Sequence, residues 1–241
     1  MKLTPERTIG SIVAEDQRAA TTLTRHGIDF CCKGGRTVEE VCRTKGLDAT
    51  ELEQEIRADL ARDTRANEDF RHWPLQRLVE HIEQVHHSYV QARTPIIQQY
   101  LTKLGKVHGE RHPELFQIAD EFESCAHAMA AHMKKEELML FPYIVRLERA
   151  RSAGTSIEAP HFGTVNNPVR MMMHEHDTEG DRFRRIVELS YGYALPPDGC
   201  ATYSAAMLAL KEFEADLHQH IHLENNILFP RAVELELSMA D

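Results

Sequence analysis

The chain has 241 residues, 27% of them charged and 42% hydrophobic, and its 28 basic and 38 acidic side chains give a net charge of -10. That size and balance suit a helical bundle with a small extra domain, and they exclude a disordered or fibrous chain. The negative charge argues against nucleic acid or an acidic membrane surface as a partner, and no stretch approaches the ~18 apolar residues of a spanning helix. The opening MKLTPERTIG lacks the apolar segment of a signal peptide, so a cytoplasmic chain is expected. Its five cysteines, Cys31, Cys32, Cys42, Cys125 and Cys200, have no disulfide spacing and are expected as free thiols.

Residues 1–66 read as a small domain of short helices. Asp16 is placed to cap a helix that ends at Gly27, Thr37 with Glu40 forms a capping box for a helix closed by Gly46, and Asp48 with Glu51 opens a third. Between the first two lies Gly27-Ile28-Asp29-Phe30-Cys31-Cys32-Lys33-Gly34-Gly35, a turn that presents two adjacent thiols. The charged stretch ARDTRANED after the third helix reads as a linker.

From residue 72 to 241 the pattern becomes that of four long helices. Leu75, Leu78, Ile82, Val85, Tyr89 and Ile96 recur at helical spacing in the first. The second runs from about Glu114 to Arg151, the third from about Val169 to Tyr191 and the fourth from about Thr202 to Leu237, with Gly and Pro in each connection. An all-α, antiparallel four-helix bundle follows.

The second and fourth helices carry the same segment. His132-Met133-Lys134-Lys135-Glu136-Glu137-Leu138-Met139-Leu140-Phe141-Pro142 matches His220-Ile221-His222-Leu223-Glu224-Asn225-Asn226-Ile227-Leu228-Phe229-Pro230 in register at His, Glu and Phe-Pro. His87 precedes His132 by nearly the separation at which His176 precedes His220, so the bundle reads as two hairpins on one plan. A His and a Glu four residues apart project from one face of a helix and reach the same ion. Met129, Met139 and Leu140 are expected on the face of His132, and Leu217, Ile227 and Leu228 on that of His220, which points both pairs into the interior. A carboxylate buried there costs several kcal/mol without a positive partner, and neither Glu136 nor Glu224 has one at i±3 or i±4.

A pair of metal ions supplies that charge, and nitrogen and oxygen ligands suit iron or manganese, with zinc allowed by ligand type. Four histidines and two bridging glutamates fill roughly eight of the twelve positions of two octahedral ions, and a bridging oxide leaves about one open position on each for O2, NO or water. Periodicity on the first helix favours His86 over His87 for the inward face, whereas register with His176 favours His87, so that choice stays open on the residues alone. The Phe-Pro pairs read as late helix kinks, and Met171, Met172 and Met173 as core filler. His81, His108, His112, His174, His218 and His222 read mostly as surface residues or partners of the ligands, with His108 the foremost exception.

In combination, Gly-Ile-Asp-Phe-Cys-Cys-x-Gly-Gly, His-Met-x-Lys-Glu-Glu-x-x-Leu-Phe-Pro at His132, Glu-His-Asp at His176 and His-x-x-Leu-Glu-Asn-Asn-x-Leu-Phe-Pro at His220 resemble the iron-sulfur cluster repair family, di-iron proteins with a hemerythrin-like HHE bundle. The resemblance covers nearly the whole chain. It implies a non-haem di-iron centre, two Fe ions per chain with oxo and carboxylate bridges, on His87, His132, Glu136, His176, His220 and Glu224. It also implies a cytoplasmic protein, made under nitrosative or oxidative stress, that helps restore damaged iron-sulfur proteins, with Cys31 and Cys32 as redox or iron-transfer thiols. His86 departs from the family pattern, in which a tyrosine is more familiar, and the Ser152 to Pro168 loop is long. The alternatives are a carrier or sensor of O2 or NO, or an NO-reducing or ferroxidase enzyme; a homodimer is left open as an assembly.

Overall fold

The structure is a computed structural model that describes residues 2–63 and 68–240. The expected linker centres on residues 64–67, which lie outside the described residues. The chain is all-helical and divides into two compact units, Met1–Leu78 with Ile221–Asp241, and Val79–His220. No helix among the described residues is long and apolar enough to cross a membrane.

The first unit starts with a helix that the sequence reading did not foresee, α1 (Ile9–Glu15), only seven residues long and with a glycine at its second position. Its N-terminus is closed by the Thr8 side chain, which accepts from the Ser11 N–H, and its Gly10 N–H donates to the Gly34 carbonyl at 2.8 Å. The other signals act as the sequence suggests. Asp16 caps a short 3-10 turn, Gln17–Ala19, that leads into α2 (Ala20–Arg25), and Gly27 ends the run at φ 61°. Thr37 and Glu40 make both bonds of the capping box on α3 (Val38–Lys45), and Asp48 accepts from the Thr50 and Glu51 N–H groups to open α4 (Ala49–Arg62). Ile9, Ile12, Leu23, Ile28, Val41, Leu52 and Ile56 form the core beneath them. A helix, α5 (Leu75–His81), begins here, and the unit is completed by the C-terminal α11 (Phe229–Ala240) with the turn before it, Glu224–Leu228.

The second unit is the bundle. The first long helix continues from α5 through Ile82–His87 into α6 (Ser88–His108). Next come α7 (Glu114–Lys135), continued through Glu136–Leu140 into α8 (Phe141–Ala153), then α9 (Asn166–Leu189), and α10 (Ala201–Leu223) as far as His220. Helix α7 packs on both α6 and α9. Phe183 stacks on Phe213 at 5.7 Å and Phe122 meets the same ring edge-on at 5.2 Å, an aromatic layer that fixes the distance between helices.

Three of the long helices widen for one turn. The N–H of Ser88 reaches back five residues to Glu83, that of Phe141 to Glu136, and that of Phe229 to Glu224. In the last two the cause is local: Pro142 and Pro230 follow at once, lack an N–H and crowd the carbonyl four residues back, and the extra residue in the turn relieves that crowding. The expected kink is therefore a π turn. Its extra residue also shifts the phase of the helix by about 100°, so Met139, expected beside His132, is 39% exposed while Leu140 is buried. The methionine triplet corrects a second expectation. Met172 is buried, but Met171 and Met173 are 52% and 36% exposed, because successive residues on a regular helix point about 100° apart and cannot share one core.

Candidate metal centre

His87 and Glu136 sit on π turns, His132 on α7, His176 in the middle of α9 and His220 near the end of α10, and all five are buried. The donor atoms of His87, Glu136 and His220 lie within 4.8 Å of one another, as do those of His132, Glu136 and His176. Glu136 is common to both groups. Its Oε2 is 3.4 Å from His87 Nε2 and its Oε1 is 3.2 Å from His132 Nε2, while His132 Nε2 is 3.0 Å from His176 Nε2. Glu224 is completely buried as well, and it opens the π turn of its own helix as Glu136 does.

The remaining ring nitrogens define what these donors need. His87 Nδ1 donates to Glu137 Oε1 at 2.8 Å, and His132 Nδ1 donates to Glu175 Oε2 at 2.8 Å. Glu175 also pairs with Lys135, and its carboxyl is pushed down to about 2, chiefly by the His132 hydrogen bond. With the Nδ1 proton committed to a carboxylate, the neutral imidazole presents a lone pair at Nε2. In both rings that nitrogen faces a Glu136 oxygen in a buried site, an arrangement that calls for a positive charge, a proton or a metal ion, between them. A carboxylate behind His87 and another behind His132, with Glu136 shared in front, is a donor set that fits metal ions.

The two neighbouring imidazoles of the first helix face different partners. His86 and His87 are both buried, since the widened turn turns two consecutive side chains inward. His86 Nδ1 lies 3.0 Å from Asp216 Oδ1, and its ring stacks on that of His220 at 5.6 Å. His87 is the one whose Nε2 faces Glu136. Glu137 and Glu175 are carboxylates at the site that sequence reasoning did not assign, although each stands beside a named residue within the quoted motifs. A rule that a ligand histidine needs an acceptor for its second nitrogen would have directed attention to them.

In the first unit the cysteine turn is held by the second copy of the repeat. Asn226 Nδ2 donates to the carbonyls of Phe30 and Cys31, each at 3.3 Å, and Asn225 Nδ2 donates to that of Cys31 at 3.4 Å. The first copy has Glu137 and Leu138 at the equivalent positions. The Asn226 side chain fits only because both residues facing it are glycines: a Cβ on Gly10 would stand 2.1 Å from its Oδ1, and one on Gly34 2.5 Å. Cys31 is buried and Cys32 half-buried, their sulfurs 3.8 Å apart, and Asp29 Oδ1 receives the Cys32 N–H at 2.9 Å. The Cys31 thiol is raised well above its ordinary range by the neighbouring Cys32 and by burial. Donor atoms of Asp29, Cys31 and Cys32 also lie within 4.8 Å of one another.

The fold and donors together define a cation-binding helical bundle, and comparison with known proteins agrees. Residues 77–232 match the hemerythrin HHE cation binding domain family, and residues 5–60 match ScdA_N, described as a domain of unknown function. Over 94% of its length the chain is 28% identical to the iron-sulfur cluster repair protein ScdA of Staphylococcus haemolyticus, 98% of which is covered. It is 30% identical over 95% of its length to the iron-sulfur cluster repair protein YtfE of Yersinia pestis, again with 98% of the relative covered, and equally so to that of Yersinia pseudotuberculosis. The chain belongs to the iron-sulfur cluster repair family, and in it a ScdA_N match precedes a hemerythrin HHE match.

Proposed function

We propose that this chain repairs iron-sulfur clusters damaged by nitrosative or oxidative stress, using two iron ions held by His87, His132, Glu136, His176, His220 and Glu224. The observation that carries the reading is Glu136, fully buried with one oxygen toward the Nε2 of each of two imidazoles whose Nδ1 protons are already committed. Glu136 and Glu224 would bridge the ions together with an oxide. Bound iron would supply open positions for NO or O2 and a store of labile metal. The residues themselves hold and orient: Glu137 and Glu175 fix the ring planes of His87 and His132, and the bundle excludes bulk water.

The small domain, residues 1–66, would contribute Cys31 and Cys32 as redox or iron-transfer thiols, and the bundle, residues 72–241, the iron. Clients are damaged iron-sulfur proteins, which the names of the relatives support. The reading also takes the protein to act in the cytoplasm, with NO or O2 as the small ligand, and it permits a homodimer.

The direct functional test is reactivation of an NO-damaged iron-sulfur enzyme by the iron-loaded chain. Recovery is expected with the native protein and not with the Glu136→Leu, Glu224→Leu variant; equal recovery with both contradicts the reading. Reversible O2 binding without reactivation would mark a carrier or sensor instead, and steady N2O production from NO and a reductant would mark an NO-reducing enzyme.

A further inference from the structure

A second constellation of reactive side chains lies elsewhere in the bundle unit, where the end of α6 meets the start of α10. Cys200 immediately precedes α10, and its carbonyl accepts the Ser204 N–H at 3.1 Å, which makes it the N-terminal cap residue of a helix of 23 residues. Its sulfur stands 3.3 Å from His108 Nε2 and also receives the backbone N–H groups of Thr202 and Tyr203. Cys200 is exposed, whereas Cys31, Cys42 and Cys125 are buried. His108 is the last residue of α6, is 4% exposed, and has no hydrogen-bond partner at Nδ1, so its polar contact is directed at the sulfur.

The pair is held by a frame of its own. Asp198 receives Arg111 Nη1 at 2.7 Å and His112 Nε2 at 2.9 Å, and His112 Nδ1 reaches Glu114 at 3.0 Å. Tyr203 places its ring edge-on to both His108 and His112, at 5.6 and 5.7 Å. These contacts fix the loop before Cys200 to the end of α6, so the sulfur and the imidazole keep their distance without any ligand. The groups facing the thiol are thus one imidazole and the positive end of a helix, both of which stabilise a thiolate.

We propose that Cys200 is a redox modification site that undergoes thiol-disulfide exchange with low-molecular-weight disulfides. The Cys200 thiolate attacks one sulfur of the incoming disulfide; a new S–S bond forms to the protein as the old one breaks. The departing sulfur leaves as a thiolate, which takes a proton from solvent, and no further oxidant or reductant is needed. The site requires what this one has: an exposed sulfur, a built-in imidazole partner and a helix N-terminus.

The thiol is lowered to about 7, first by the His108 hydrogen bond and then by the Tyr203 N–H. The test is the rate of mixed-disulfide formation in the full-length, iron-loaded protein with oxidised glutathione, located by peptide mass spectrometry and followed as a function of pH. Cys200 is expected to react first, with a rate that rises through a midpoint near pH 7, and a Cys200→Ser variant is expected to lose that adduct. In a His108→Gln variant the midpoint should move up toward that of an ordinary thiol. The rate at pH 7 should then fall only about threefold, because the higher pKa that reduces the thiolate fraction also makes the remaining thiolate more nucleophilic. If another cysteine reacts first in the native protein, or if its midpoint lies above pH 8, the proposal is overturned, whether or not the His108 variant folds. An unchanged midpoint in a folded His108→Gln variant also overturns it.

Discussion

At the scale of single residues, the centre depends on which nitrogen of each histidine carries the proton. Glu137 and Glu175 accept from the Nδ1 atoms of His87 and His132, and removing either acceptor's charge frees the ring to rotate or to change tautomer. Glu137→Gln and Glu175→Gln are each expected to weaken metal binding roughly 10- to 100-fold, measured by competition with a chelator of known affinity. Unchanged affinity in both would show that these carboxylates do not orient the ligands. Duplication in register separates the proposed ligands His132, Glu136, His220 and Glu224 from ordinary surface pairs, whereas His87 stays in competition with His86 on the residues alone. Glu137 and Glu175 do not stand out in the sequence, because a glutamate beside a proposed ligand looks like any solvated charge until the fold brings a second helix across it. His222 shows the same limit: it reads as a bland residue in sequence, yet it is buried against Phe30 and hydrogen-bonded to Asn226 at 3.2 Å.

Burial pushes His222 down to about 4, whereas a histidine in the unfolded chain titrates near ~6.5. A depressed pKa contributes stability that is complete above the unfolded value and is lost as the pH falls through the folded one. The native protein should therefore lose more thermal stability between about pH 6.5 and 4 than a His222→Gln variant, compared in melting curves of metal-free samples. Parallel losses would remove His222 from the account.

At the scale of elements, caps and turns explain the small helices and π turns explain the long ones. The capping box on α3 is complete, so Thr37→Ala is expected to destabilise the protein by about 1 kcal/mol in denaturant titrations. The Asn226 side chain gives a stronger test of the packing between α1 and the last π turn. A Cβ at position 10 meets its Oδ1 at 2.1 Å, so Gly10→Ala should destabilise by about 1–3 kcal/mol. In an Asn226→Ala background most of that effect should vanish, since the obstructing atom is gone; simple additivity of the two substitutions would refute the contact. Sequence reading placed the capping signals of α3 and α4 and the four long helices, because hydrophobic period and capping residues are local signals. It missed α1, which is too short for a period to show, and it treated Phe-Pro as a kink. The π turn that Phe141-Pro142 concealed exposes much of Met139, and a third π turn, Ile82–His87, which no Phe-Pro pair marks, buries both His86 and His87.

At the scale of the whole molecule, metal binding and stability are linked. Ligands that bind only the folded state stabilise it by mass action, and metal ions bound among the Nε2 and Glu136 donors would do so here. The metal-free protein is expected to melt at a lower temperature than the iron-replete one, and the Glu136→Leu, Glu224→Leu variant to show almost no such difference.

If the duplicated histidines and glutamates hold two iron ions, metal analysis of iron-replete protein should find two irons per native chain and a clear loss in the Glu136→Leu, Glu224→Leu variant. One iron or fewer per native chain under iron-replete conditions would rule out a two-iron centre.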